Sequence, residues 1–253
     1  MSKKSSGLST AEIFDDLIRA TFSCTLVVII ILLSLIVSSI TMKLSFFTSN
    51  DLIDNTSEKS SVTIWTSLLI YQITIIALIM FHLRTTSTEI VDFKSNSSRV
   101  RNSLYKNMYL LLITISITIS FTSLISVLFP KQFQYDLHQF HKLLKDASLV
   151  PIFLAVAIGA PISEELLFRR YLFKNLSETR LGFSGAAIIS TTGWTMLHSS
   201  YSSSGMVKIF FAGLMLSWLF HKTMKLFMPV IFHAVYNIIS LTYLLFTQRL
   251  PSI

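Results

Sequence analysis

The residues in this chain whose types and spacing can do chemistry fall in three clusters: Glu164, Glu165 and Arg169; Trp194 and His198; His233 and Asn237. Within the first cluster Glu165 and Arg169 are four apart, so on a helix they share a face and can pair. Glu164 is rotated about a quarter turn or more from that face and can address a different neighbour. One carboxylate is then held by an arginine while the other stays available as a base. Trp194 and His198 are again four apart, as are His233 and Asn237, so each pair points one way. A carboxylate, two imidazoles and an amide brought together have a clear use. Glutamate and histidine can take a proton from water and make it a nucleophile against a carbonyl. Alternatively Glu164, His198 and His233 are three ligands of a divalent metal such as zinc, with water in the fourth position. In either case Asn237 and the second histidine can donate to the oxyanion formed on attack. Both routes hydrolyse a peptide bond, and the residues alone do not choose between them.

The elements that must position these residues are membrane spans. Of the 253 residues 52% are hydrophobic and only 13% charged, about half the charged share of an ordinary soluble domain. The expected fold is all-α: a polytopic membrane helical bundle of about seven transmembrane helices, plus short interfacial helices. Apolar runs of spanning length lie at 21–41, 61–82, 109–129, from 149 into the Glu-Glu stretch, 183–201, 205–221 and 227–247. A segment at 130–148 has Phe133, Leu137, Phe140 and Leu144 at helical spacing and reads as an interfacial helix; as a further span it would make eight. Residues 1–20 read as a cytoplasmic or interfacial segment in which Ser9 and Glu12 have capping-box spacing. Residues 21–148 hold spans one to three, and 149–247 hold the four spans that carry the clusters. All of it is one membrane domain.

The net charge of +8 would suggest nucleic acid in a soluble chain. Here the basic residues cluster between apolar runs, so they mark topology and anionic lipid instead. With the N-terminus cytoplasmic, fourteen lysines and arginines fall on the inner side and seven on the outer, the expected bias. The protein is therefore expected in a cell membrane, multi-pass, with membrane lipid and a peptide or membrane-anchored protein as partners and no nucleic acid.

Several other chemistries are disfavoured. Cys24 is the single cysteine and lies inside the first span, so neither an intrachain disulfide nor a cysteine metal site can form. His138 and His141 lie on the amphipathic segment without a nearby acidic or cysteine cluster. Ser199 to Ser204 read as a flexible loop rather than as a nucleophile held by a tight turn. No His-Glu-x-x-His helix and no Gly-rich phosphate loop occurs. A proton-coupled transporter would show an internal repeat, and none is evident.

In order and on separate spans, these motifs resemble the CPBP (Abi) family, which contains the CAAX prenyl proteases and bacteriocin-processing or bacteriocin-immunity membrane proteins. The family pattern is Glu-Glu-x-x-x-Arg, then Phe-x-x-x-His, then His-x-x-x-Asn. It is met here by Glu164, Glu165 and Arg169, by Trp194 and His198, and by His233 and Asn237, over about 149–247. The resemblance implies an intramembrane endopeptidase in which Glu164 is the activating base, His198 its partner, and His233 and Asn237 line the same site. It also implies a setting in bacteriocin or pheromone processing or self-immunity, and the same pocket can serve a non-catalytic immunity or scaffold protein. Some relatives act with a metal and others without. Trp194 stands where phenylalanine is commoner, and Arg170 where many relatives have glycine.

One expectation concerns depth. His198 lies roughly 22 Å along the fifth span and His233 only about 10 Å into the seventh. The two meet only if the fourth and fifth helices project into the cytoplasm or the fifth tilts strongly.

Overall fold

The computed structural model describes residues 10–49, 56–86, 97–144 and 148–248. They form eight helices in chain order: α1 Thr10–Ser49, α2 Thr56–Thr85, α3 Ser97–Leu128, α4 Pro130–Leu144, α5 Leu149–Ser177, α6 Gly182–Met196, α7 Ser203–Thr223 and α8 Phe227–Gln248. The architecture is the expected helical membrane bundle. Of these helices, α1, α2, α3, α5, α7 and α8 are long and apolar enough to cross a membrane. Their outward faces carry large apolar side chains such as Leu32, Ile36, Ile73, Phe81, Leu112 and Leu124. Such continuous apolar exposure suits lipid rather than water.

Expectation and structure part in three places. The fifth expected span is present as α6, but its 15 residues reach only about 22 Å, short of a hydrocarbon core of about 30 Å. It was expected to run to Tyr201 and ends at Met196, where Leu197, His198 and Ser199 bond back to carbonyls three residues earlier. So six helices rather than seven have spanning length among the described residues. The separate interfacial helix expected before span one is continuous with it, because Thr10–Ser49 contains no glycine or proline to break it. The Ser9 cap lies outside the described residues.

The third difference is the serine-rich stretch. Ser202 is the N-cap of α7, its Oγ accepting from Gly205 N at 3.2 Å. Asp136 of α4 is buried and accepts from Ser202 N at 2.7 Å and from Ser202 Oγ at 2.8 Å. Gln132 Oε1 accepts from Ser204 N at 2.8 Å. A helix starts with backbone N–H groups that have no partner in their own turn, and α4 supplies them from outside. The amphipathic helix is thereby pinned across the start of α7. It also reaches α8, where His141 Nε2 donates to Leu244 O at 3.1 Å.

α5 is the centre of the bundle. Leu167, Phe168, Phe173 and Leu176 from α5 pack with Ile75 and Ile79 of α2, Leu216, Leu219 and Phe220 of α7, and Phe232 of α8. The turn after α5 is tied to the first turns of α1 by Asp16 with Arg180 at 3.3 Å and Arg19 with Glu178 at 3.8 Å. These pairs are exposed or partly so and contribute about 1 kcal/mol or less each.

Candidate active site

Three helices bring the clusters together. α5 supplies Glu164, Glu165 and Arg169, the end of α6 supplies Trp194, and the second turn of α8 supplies His233. Glu165 and Arg169 are fully buried, with Nη1 of Arg169 3.2 Å from Oε1 of Glu165. The same Glu165 oxygen accepts from His233 Nδ1 at 3.0 Å. Arg169 Nη2 donates to Gly213 O at 3.3 Å, and its guanidinium lies 4.6 Å from the centre of the Trp194 ring. Arg169 Nε and Nη1 and Glu165 Oε2 make no hydrogen bond, so the pair depends on the contacts it has, and removing one member costs about 3–5 kcal/mol.

Glu164 faces elsewhere, as the spacing predicts. Its Oε2 accepts from Trp194 Nε1 at 2.5 Å and lies 3.9 Å from His233 Nε2. Its side chain is 18% exposed where that of Glu165 is 0%. The two neighbouring carboxylates therefore differ in access: one can be reached from outside and the other cannot.

The imidazoles have fixed tautomers. An ionised carboxylate and a backbone carbonyl only accept. His233 Nδ1 must then carry the hydrogen that meets Glu165, and His198 Nδ1 the one that meets Trp194 O at 3.0 Å. In each ring Nε2 takes no part in these two bonds. For His233 that nitrogen faces Glu164.

Trp194 joins the site together. Its ring centre is 5.1 Å from that of His198 and 5.5 Å from that of His233, both edge-on. Gly213 makes room for it: a Cβ there would fall 2.6 Å from Thr191 Cγ2 and 2.9 Å from Trp194 Cε3. A substitution of phenylalanine by tryptophan looks mild in sequence if the ring only packs. In the structure its N–H is the hydrogen-bond donor to Glu164, which phenylalanine cannot provide.

Two of the expected site residues stand apart from the Glu164 carboxylate. His198 is in the turn after α6, against Trp194 and the Tyr201 ring at 6.1 Å. Asn237 donates Nδ2 to Val156 O at 2.8 Å. Among the described residues no three His, Cys, Asp or Glu side chains are grouped so as to hold a metal ion. Glu164, His198 and His233 thus have suitable donor atoms but do not fit a three-ligand site as they stand.

The helix lengths bear on the expected offset in depth. Glu164 lies about 20 Å before the end of α5, and His233 about 9 Å after the start of α8. Since the two side chains touch, the α5–α6 turn extends roughly 10 Å beyond the start of α8. There it rests on the polar first turns of α1.

Sequence reasoning missed Gly213 and Gln72, the latter a buried amide of α2 that donates to Ala155 O at 3.0 Å. Gln72 was visible as the lone amide in the apolar run of its span, and polar residues there face the bundle interior. Gly213 gave no signal of its own.

A helical membrane bundle enclosing this acid–imidazole set is a scaffold for hydrolysis within the bilayer. The family model described as type II CAAX prenyl endopeptidase Rce1-like matches residues 146–239. Over that part the chain is similar to the CAAX-protease (CPBP) family, and the matched stretch holds all seven motif residues from Glu164 to Asn237. No curated protein and no solved structure matches the chain. At the level of the family this is the domain of an intramembrane endopeptidase.

Proposed function

We propose that the chain hydrolyses a peptide bond of a membrane-associated peptide or protein with water activated by Glu164. The supporting observation is the asymmetry of the carboxylate pair: Glu164 is partly accessible and faces His233 Nε2 at 3.9 Å, while Glu165 is closed and tied to Arg169. Glu164 takes a proton from water beside His233 Nε2, while His198, the partner the resemblance implies, adjoins the site through Trp194. The resulting hydroxide attacks the carbonyl carbon and forms a tetrahedral oxyanion. The proton returns from Glu164 to the amide nitrogen as the C–N bond breaks, leaving a carboxylic acid and an amine. Glu165 keeps His233 in one tautomer and orientation. The resident membrane is a bacterial plasma membrane, with the N-terminus cytoplasmic.

Peptide cleavage by purified protein in detergent tests this reading, with Glu164→Gln beside it. Loss of turnover by about 10²-fold or more, with melting unchanged, is expected for the variant. Wild-type protein that binds the peptide and never cleaves it would make the chain an immunity or scaffold protein instead. Among the described residues Glu164, His198 and His233 are not grouped as a three-ligand metal site. A strong chelator is therefore expected to leave turnover within about twofold. Stoichiometric zinc in active protein, lost from His233→Ala, would overturn that expectation.

A further inference from the structure

Pro161 stands three residues before Glu164 in the interior of α5. Proline has no N–H to give, and its ring crowds the carbonyl four residues back. α5 is widened in two stretches, Leu154–Gly159 before the proline and Leu166–Phe173 beyond the carboxylates, and the first accommodates it. Over Leu154–Gly159 the backbone bonds run to the fifth residue, and Ala160 N–H donates to Ala155 O. In that register the carbonyl opposite Pro161 is Val156 O, five residues earlier, which receives no backbone hydrogen from the proline. The side-chain amide of Asn237, from α8, donates to it at 2.8 Å. On the adjoining carbonyl, Ala155 O, the Nε2 amide of Gln72 arrives from α2 at 3.0 Å. Gln72 is 3% exposed, and Gly159 leaves it space, since a Cβ at 159 would lie 2.0 Å from Gln72 Oε1. Two neighbouring helices thus each place an amide on the same widened turn, one turn before the carboxylates. A freed carbonyl at membrane depth, here Val156 O, persists only where a neighbour satisfies it, and Gln72 adds a second donor on Ala155 O.

We infer that Gln72 and Asn237 are a pair of positioning residues that clamp the widened turn of α5 and so set the direction in which Glu164 and Glu165 face. A widened turn holds about one residue more than an ordinary one, and each residue turns the helix by about 100°. Reversion to a regular helix would swing Glu164 away from Trp194 and His233. Asn237 then acts through α5 rather than on the oxyanion. Gln72 lies outside the stretch that matches the family model. The activity arm of the test rests on the proposed role of Glu164; the spectroscopic arm does not.

The test uses the full chain in detergent and four variants: Gln72→Met, Asn237→Leu, Gly159→Ala and the Gln72→Met/Asn237→Leu double. Gly159→Ala is the smallest change and works by pushing the Gln72 amide off Ala155 O. The first readout is the indole N–H resonances of the three tryptophans, with that of Trp194 assigned by its loss in Trp194→Phe. It reports the hydrogen bond to Glu164 without any turnover. Each single variant is expected to move the Trp194 resonance toward its position in Glu164→Gln. Each should lower kcat by about 10²-fold with KM within about twofold, because a catalytic group is misplaced. The double variant should be no worse than the more impaired single, since the register is lost only once. A Trp194 resonance unmoved in Gln72→Met and Gly159→Ala, with kcat lost only in Asn237→Leu, would overturn the inference and make Asn237 an oxyanion donor. Absence of turnover in wild type would fail the proposed function, and the resonances would still decide the clamp.

Discussion

In α1 to α3 many of the hydroxyls turn back on their own helix, with Ser38 Oγ, which crosses from α1 to Ser67 O of α2, an exception. Ser34 Oγ donates to Ile30 O, Thr118 Oγ1 to Thr114 O and Ser126 Oγ to Thr122 O, each four residues away. In α5 to α8 such bonds also occur, at Ser163 and Thr223, but others cross between helices. Arg169 reaches Gly213 of α7, Trp194 of α6 reaches Glu164 of α5, and His233 and Asn237 of α8 reach Glu165 and Val156. A bond within a helix satisfies a polar group wherever that helix lies, whereas a bond across fixes where it must lie. The comparison teaches that these helices are built to two tolerances: apart from Gln72 and the Ser38 contact, α1 to α3 have mainly to suit the lipid, and α5 to α8 must also hold a geometry.

The comparison breaks first, if it breaks, at Glu164. The expected loss of about 10²-fold or more in turnover is among the largest effects, because Glu164 is the proposed base and Glu165, the carboxylate beside it, is closed to solvent. Next is Glu165→Gln. It leaves Arg169 without its counter-charge in a fully buried place, which should cost about 3–5 kcal/mol of stability. Glutamine still offers an acceptor to His233 Nδ1, so loss of activity should follow loss of folded protein. Glu165→Gln with Arg169→Gln should be milder than the sum of the two. Thermal melting beside peptide cleavage measures both. If Glu165→Gln is fully folded and dead while Glu164→Gln remains active, the roles are reversed.

How far the sequence shows this is uneven, and for physical reasons. The spans are legible because hydrocarbon demands long apolar runs, and the Glu165–Arg169 pair because four residues make one helical turn. The separate face of Glu164 follows from the same geometry. The end of α6 was misjudged by five residues, since no glycine or proline follows Met196 before Gly205 to mark a stop, while a tertiary contact, Asp136 on Ser202, organises the turn that follows. The indole bond to Glu164 was hidden because it joins residues 30 apart on different helices. The role of Pro161 could have been suspected, as a proline inside a span requires a compensating donor. Which side chain supplies it depends on packing that periodicity does not record.

The smallest expected effect tests the looser tolerance. Thr118 is fully buried in α3, and its Oγ1 donates to Thr114 O at 2.9 Å. Burial alone would rank it with the polar residues of the active site. Its acceptor, however, lies one turn back on the same helix and already serves the backbone ladder. Thr118→Val removes the donor, keeps the branched shape and leaves no other buried group without a partner. Hydrogen bonds of this kind in membrane helices average about 0.6 kcal/mol, and a helical back-bond that competes with the ladder contributes no more. Melting should therefore shift by a degree or two at most, and turnover should stay within about twofold. A loss comparable with that of Glu165→Gln would show that α3 is held to the same tolerance as the catalytic helices. The contact to examine then would be α3 against α7, where Phe121 and Phe211 stack at 3.9 Å. Through it a displaced α3 would move Gly213, and with it the seat of Trp194.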